Sequence, residues 1–171
     1  SCALTAGCEL SSLSAARVAI TKPVTDQGMK IAAEAADRIV AESHGYPYFL
    51  QEWGKHAWDA APHSPIRVQD VKAATASSIA ALDESFFRVR FDRLTPAEKK
   101  YLRAMAELGP GPHRSGSIAE ELEREVTSLG PTRNKLIAKG MIWSPNHGDT
   151  AFTVPLFDQF MRRTMPGQEW R

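Results

Sequence analysis

The sequence predicts a mainly α-helical protein in two parts: a small helical bundle, then a region of helices closed by a short β-hairpin. Three observations predict this. Apolar residues recur at spacings of three and four through most of the chain. Pro and Gly interrupt those runs where helices begin and end. After Lys139 the period changes, and two short β-rich runs flank a glycine turn. The 171 residues suffice for one ordinary domain or two small ones. With 43% hydrophobic and 24% charged residues, the chain belongs with globular proteins and not with disordered or fibrous ones.

The elements follow in order. Ser14 to Ile20 forms a short helical run, halted by Pro23 and a loop through Gly28. In MKIAAEAADRIVAESH, Ile31, Ala35, Ile39 and Val40 mark one buried stripe of a helix. Gly45 ends that helix with a positive φ, and Pro47 opens the next, where its missing N–H would have had no partner. Phe49, Leu50, Trp53 and Ala57 form the apolar face of this helix, flanked by Trp58. APHSP (61–65) breaks it. A long helix follows through VQDVKAATASSIAALDESFFRVRF, burying Val71, Ile79, Leu82, Phe86 and Phe87.

Thr95-Pro96-Ala97-Glu98 has the form of a capping box with Pro at the first helical position. The helix it starts carries Tyr101, Leu102, Met105 and Leu108 inward. GPGPHRSG is expected as a loop, followed by a short helix over Ser117 to Arg124 and a third over Thr127 to Lys139, ended by Gly140. MIWSP and TAFTV, around NHGD, read as a hairpin with Gly at the turn. PLFDQFMRR then starts a last helix at its Pro, with Leu156, Phe157, Phe160 and Met161 as a docking stripe. Three helices and a hairpin within this span are the order of a winged helix-turn-helix domain. The expected division is 1–90 for the helical domain and 91–171 for the winged helix-turn-helix domain.

Composition narrows the function. The net charge is +1, from 21 basic and 20 acidic side chains, which excludes a strongly basic nucleic-acid coat. Residues 91–171 carry 12 Lys and Arg against 10 Asp and Glu, a mild basic lean. No apolar run approaches the roughly 18 residues needed to cross a bilayer. The opening SCALTAG has neither a basic start nor a sustained apolar core, so no signal peptide is expected, and the protein is expected in the cytoplasm without membrane contact. The start reads as a cut into a longer chain. Cys2 and Cys8, without a second Cys or His pair, make a poor zinc site.

Catalytic signatures are missing from the sequence. There is no GxxxxGK(S/T) phosphate loop, and the prolines of GPGPHRSG remove the N–H donors that would cradle a phosphate. His44, His56, His63, His113 and His147 form no HxxxH or HExxH pair, so no metal site is expected. No GxSxG elbow is present. Glu120, Glu121 and Glu123 are accounted for by a solvated helix face. The chain by itself is therefore not expected to be an enzyme.

A binding surface is easier to assign. The third helix of a winged helix can enter the major groove while the wing touches phosphates. Here that helix presents Ser128, Thr132 and Lys135 away from the Leu129, Leu136 and Ile137 stripe, and Asn146 and His147 tip the wing. Arg133 falls near the stripe, where it would run along the core edge or pair with an acid on the neighbouring helix. These six residues are the candidate duplex-DNA contacts. Ordinary solvated positions of a domain that docks on protein would look the same, because one or two cations are few for tracking phosphates.

GYPYFLQEWGKHAWD, the long helix, FDRLTPAEKKYLRAMAELGPG and KGMIWSPNHGDTAFTVPLFDQFMRR together resemble the C-terminal portion of AAA+ ATPases. Within them the chain is similar to bacterial and archaeal members near the origin-recognition ATPases and the STAND signal-transduction ATPases. The resemblance implies a P-loop core upstream, then a helical lid, then a winged helix. It implies that the family's GxP motif, which closes over adenine and ribose of ATP or ADP, falls on Gly45, Tyr46 and Pro47, with Arg17 as candidate second sensor. The Walker motifs would lie before Ser1, so this chain would bind nucleotide weakly or not at all and would not hydrolyse it. The alternatives are a stand-alone winged-helix transcription regulator, or a winged helix used only for protein docking or autoinhibition.

Overall fold

The computed structural model describes residues 5–171, with side chains from Leu13 onward. Cys2 and the Cys8 side chain lie outside the described residues. The described chain is mainly helical with one small antiparallel sheet, a helical bundle followed by a winged helix. It divides into two compact units, one ending at Ser85 and the other running from Phe86 to Arg171.

The first unit holds four helices: α1 (Thr5–Asp26), α2 (Ala33–Ser43), α3 (Pro47–Ala60) and α4 (Val68–Leu82). α1 does not stop at Pro23, as the sequence suggested, but continues to Asp26. The apolar stripe explains why. Ala16, Ile20 and Val24 are all buried at spacings of four, so burial of Val24 holds the last turn despite the hydrogen bond that Pro23 cannot donate. α2 begins later than expected, at Ala33, because Ile31 is used elsewhere. Ile31 forms a parallel bridge with Ile66, closed by Ala32 N–H to Ile66 O at 2.9 Å and Ile66 N–H to Lys30 O at 2.8 Å. This bridge ties the segment entering α2 to the segment entering α4. Ala35, Ile39, Phe49, Trp53, Ala57, Val71 and Leu82 are fully enclosed. Each such large side chain contributes about 1.5–3 kcal/mol of burial free energy. The Trp53 indole N–H, which burial would otherwise orphan, reaches Thr75 Oγ1 at 3.4 Å.

After α4 the helical stretch widens into a π-helical turn over Asp83–Phe87 before α5 (Arg88–Phe91). The sequence showed a single long helix here; a π turn holds one extra residue, which hydrophobic periodicity does not resolve. Ile79 is half-buried, not enclosed, while Phe86, Phe87 and Phe91 are buried.

The second unit continues with α6 (Pro96–Glu107), β1 (His113–Arg114), α7 (Ser115–Glu121), α8 (Val126–Ala138), β2 (Ile142–Trp143), β3 (Asp149–Phe152) and α9 (Phe157–Thr164). The sheet has the order β1-β3-β2, all antiparallel, with Ile142 opposite Phe152 and His113 opposite Thr150. β1 lies in the stretch expected to be only a loop. Two residues are too short to show alternation, and their pairing partner is distant in sequence. α9 starts at Phe157 and not at Pro155; its N-cap Leu156 takes a left-handed conformation with φ 66°. Phe157 and Phe160 pack with Phe87 at ring distances of 5.7 and 5.3 Å, and Phe91 lies 5.7 Å from Phe160.

The expected capping box is present. Thr95 Oγ1 accepts from Glu98 N–H at 3.3 Å, and Glu98 Oε2 accepts from Thr95 N–H at 2.7 Å. Glu98 is also buried, and Lys139, just past α8, donates to the same Oε2 at 2.7 Å. A second Lys139 hydrogen bond reaches Arg93 O at 3.0 Å. Burial alone would raise the Glu98 carboxyl; the hydrogen bonds from Lys139 and Thr95, with the Lys139 charge, outweigh it and hold the carboxyl below its ordinary 4.5.

Two outcomes follow from this pair. Lys139→Met is expected to cost about 1–3 kcal/mol in urea unfolding, because a buried carboxylate loses a charged donor. A lowered carboxyl stabilises above its unfolded value and loses that contribution as pH falls through its folded value. Wild-type stability should therefore drop on acidification below about pH 4.5, and Glu98→Gln should flatten that part of the profile.

Candidate functional site

The chain corner at 43–47 is built from two helix ends. α2 terminates in two consecutive left-handed residues, His44 at φ 51° and Gly45 at φ 67°. Their N–H groups bond back to Ala41 O and Val40 O, and Tyr46 N–H bonds to Ser43 O at 3.0 Å. Pro47 then stands at the first position of α3, with Tyr46 as N-cap. The turn spends its own backbone donors internally. It offers a neighbouring ligand the uncovered Cα of Gly45 and the exposed His44 side chain, but no N–H cradle.

A cleft of about 900 Å³ opens beside this corner. One wall is a stripe of α1, with Leu13, Ala16 and Arg17; the other is a stripe of α2, with Asp37, Val40, Ala41 and His44, ending at Gly45. The structure thus brings Arg17 and Gly45 to one site. Tyr46 and Pro47 stand outside that lining: Pro47 is exposed and the half-buried Tyr46 ring packs on Phe49 with centroids 4.6 Å apart. Across the cleft Arg17 meets Asp37 in a two-pronged ion pair, Nε to one carboxylate oxygen and Nη2 to the other. Both side chains are about half exposed, 51% and 50%. Sequence reasoning missed Asp37 and His44. Their signal was the spacing of 37, 41 and 44, which places them on one face of a helix.

The winged-helix positions separate into distinct environments. Ser128 is exposed in the first turn of α8 and its hydroxyl donates to Glu125 O at 2.7 Å. Thr132 is half-buried and Lys135 exposed. Asn146 and His147 are exposed on the wing, where Asn146 Nδ2 reaches Asp149 Oδ2 at 3.3 Å. Arg133 is half-buried. Its Nε donates to Thr150 Oγ1 at 3.0 Å and its Nη2 to Asp149 O at 3.1 Å, so its partners are on β3 and not an acid of the neighbouring helix. Thr150 is fully buried, beside the equally buried Tyr101. Burial raises the Tyr101 phenol, with the Thr150 hydrogen bond and the Arg133 charge acting the other way. On the same domain Trp143 is 52% exposed and Ile137 36% exposed, although Ile137 was expected to be part of the inward stripe.

Among the described residues no group of His, Cys, Asp and Glu could hold a metal ion. Among them, too, no helix is long and apolar enough to cross a membrane.

Residues 84–161 match a family described as a domain of unknown function, DUF8462, which covers less than half of the chain. No curated protein matches. Among solved structures, the chain is similar to the Thermotoga maritima RuvB Holliday junction branch migration motor, at 18% identity and a TM-score of 0.39. A mutant of the same protein matches at 18% identity and a TM-score of 0.40. In each case 81% of this chain is covered but only 45% of that one, so the chain spans under half the length of these structures.

Arg133→Ala should destabilise the second unit by about 1–3 kcal/mol in chemical denaturation, because it strips a partner from the buried Thr150 hydroxyl. Gly45→Ala should cost about 1–2 kcal/mol through its left-handed φ alone, since an added Cβ would meet nothing within 4 Å.

Proposed function

We propose that this chain is the lid and winged-helix portion of an AAA+/STAND-type ATP-binding protein, residues 1–90 serving as the lid and 91–171 as the winged helix. The observation that carries the reading is the cleft shared by Gly45 and Arg17, two residues that the resemblance assigns separately to nucleotide contact. Gly45 offers a flat, uncovered backbone for a base, and Arg17 a guanidinium for phosphate. Tyr46 and Pro47 shape the corner without lining the cleft. The P-loop, the catalytic acid and the first sensor come from an upstream core, so ATP or ADP is held between that core and this lid. The chain contributes binding and nucleotide sensing, not hydrolysis.

The winged helix in this reading contacts a protein partner in preference to duplex DNA. Arg133 is engaged by Thr150 and Asp149, leaving Lys135 as the exposed cation of α8. Trp143 and Ile137 meanwhile present apolar surface, which suits protein better than a phosphate backbone. Asn146, His147, Ser128 and Thr132 then serve as polar rim positions.

The lid reading is tested by comparing ATP affinity of this chain with that of the protein joined to its P-loop core. The isolated chain should bind at least about 100-fold more weakly, a difference of about 2.7 kcal/mol; equal, tight binding would overturn the assignment. For the winged helix, a duplex-DNA titration at low salt should show no salt-dependent complex. Binding that falls steeply with salt and is lost in Lys135→Ala with His147→Ala would reverse the preference for protein.

A further inference from the structure

We infer that Asp37 is a built-in competitor for the Arg17 guanidinium, so that the cleft is an exchange site at which a polyphosphate displaces a carboxylate. The inference rests on the nucleotide reading above and names the regulation of that site. The motivating geometry is the pairing itself. A guanidinium fork matches a carboxylate and a phosphate equally well, because both present two oxygens at similar spacing. Here Asp37 fills both prongs of Arg17, across the mouth of a cleft of about 900 Å³ that ends at Gly45. The pair contributes little to the fold: both partners are half exposed, and such pairs are worth little in water. Its position therefore matters more than its stability.

The consequence is a two-state arrangement. Without ligand, Asp37 neutralises Arg17 and ties α1 to α2. With a nucleoside triphosphate in the cleft, Arg17 leaves Asp37 for the phosphate, and the freed carboxylate turns to solvent. His44, the left-handed residue that closes α2, lines the same cleft as Arg17 and Gly45. Asp37 then sets the threshold concentration, since every phosphate must first displace it.

The test is an NMR titration of this chain with tripolyphosphate, ATP and adenosine in turn, on wild type, Asp37→Asn, Arg17→Ala and Arg17→Lys. Asp37→Asn should bind tripolyphosphate and ATP about two- to fivefold more tightly than wild type, the range expected when a half-exposed competing pair is removed. Arg17→Ala should lose the phosphate-dependent shifts, and Arg17→Lys, which keeps charge without the fork, should fall between. Dispersed spectra establish that each variant is folded, and Asp37→Ser replaces Asp37→Asn if that variant is not. Weaker binding in Asp37→Asn would make Asp37 a ligand-positioning residue and overturn the exchange. If adenosine shifts the Gly45 region equally in all variants while tripolyphosphate shifts nothing, the nucleotide reading stands and the exchange fails. If no ligand perturbs the cleft in any variant, the exchange is overturned, while the lid reading stands or falls on the comparison with the protein joined to its P-loop core.

Discussion

The winged-helix unit is organised around the Arg133 guanidinium. From α8 it reaches Thr150 Oγ1 and Asp149 O on β3, next to Tyr101 of α6. Thr150 is the residue opposite His113 in the sheet, so the same position joins β1, β3 and the third helix. A buried hydroxyl flanked by a phenol and a cation is satisfied only when all three elements are in register. The register of the three-stranded sheet and the rotation of α8 are thereby linked. Glu98 and Lys139 make a second tie of the same kind, joining the start of α6 to the end of α8.

These two ties also shape the surface. Arg133, one of the candidate DNA contacts, is held by Thr150 and Asp149 O, and Lys139 by Glu98 and Arg93 O. The remaining face of α8 is short of charge, and Trp143 adds an apolar element on the neighbouring strand. Internal hydrogen bonding thus takes up part of the positive charge of this unit.

In the helical unit the governing feature is the turn from α2 into α3. Its backbone donors close the end of α2, and the cleft beside it is lined by side chains of two helices and by Gly45. The Arg17–Asp37 pair bridges those helices. Much of this was legible early. The glycine stop, the proline start and the burial of Phe49, Leu50, Trp53 and Ala57 were readable from residue type and spacing. The partnership of Arg17 with Asp37 was not, because it depends on how two helices rotate against each other.

By itself the sequence determined the helical class, the capping box at Thr95, the switch to strands after Lys139 and the glycine corner. Each of these is a local preference written in a few adjacent residues, by ring closure, backbone freedom or hydrophobic period. The tertiary structure alone decided that Pro23 lies within a helix, that His113 and Arg114 form a strand, that Arg133 bonds to Thr150 and Asp149, and that Arg17 and Gly45 share a cleft. Those outcomes depend on partners distant in the chain, whose burial and hydrogen-bonding energies outweigh local preference only once the elements have packed.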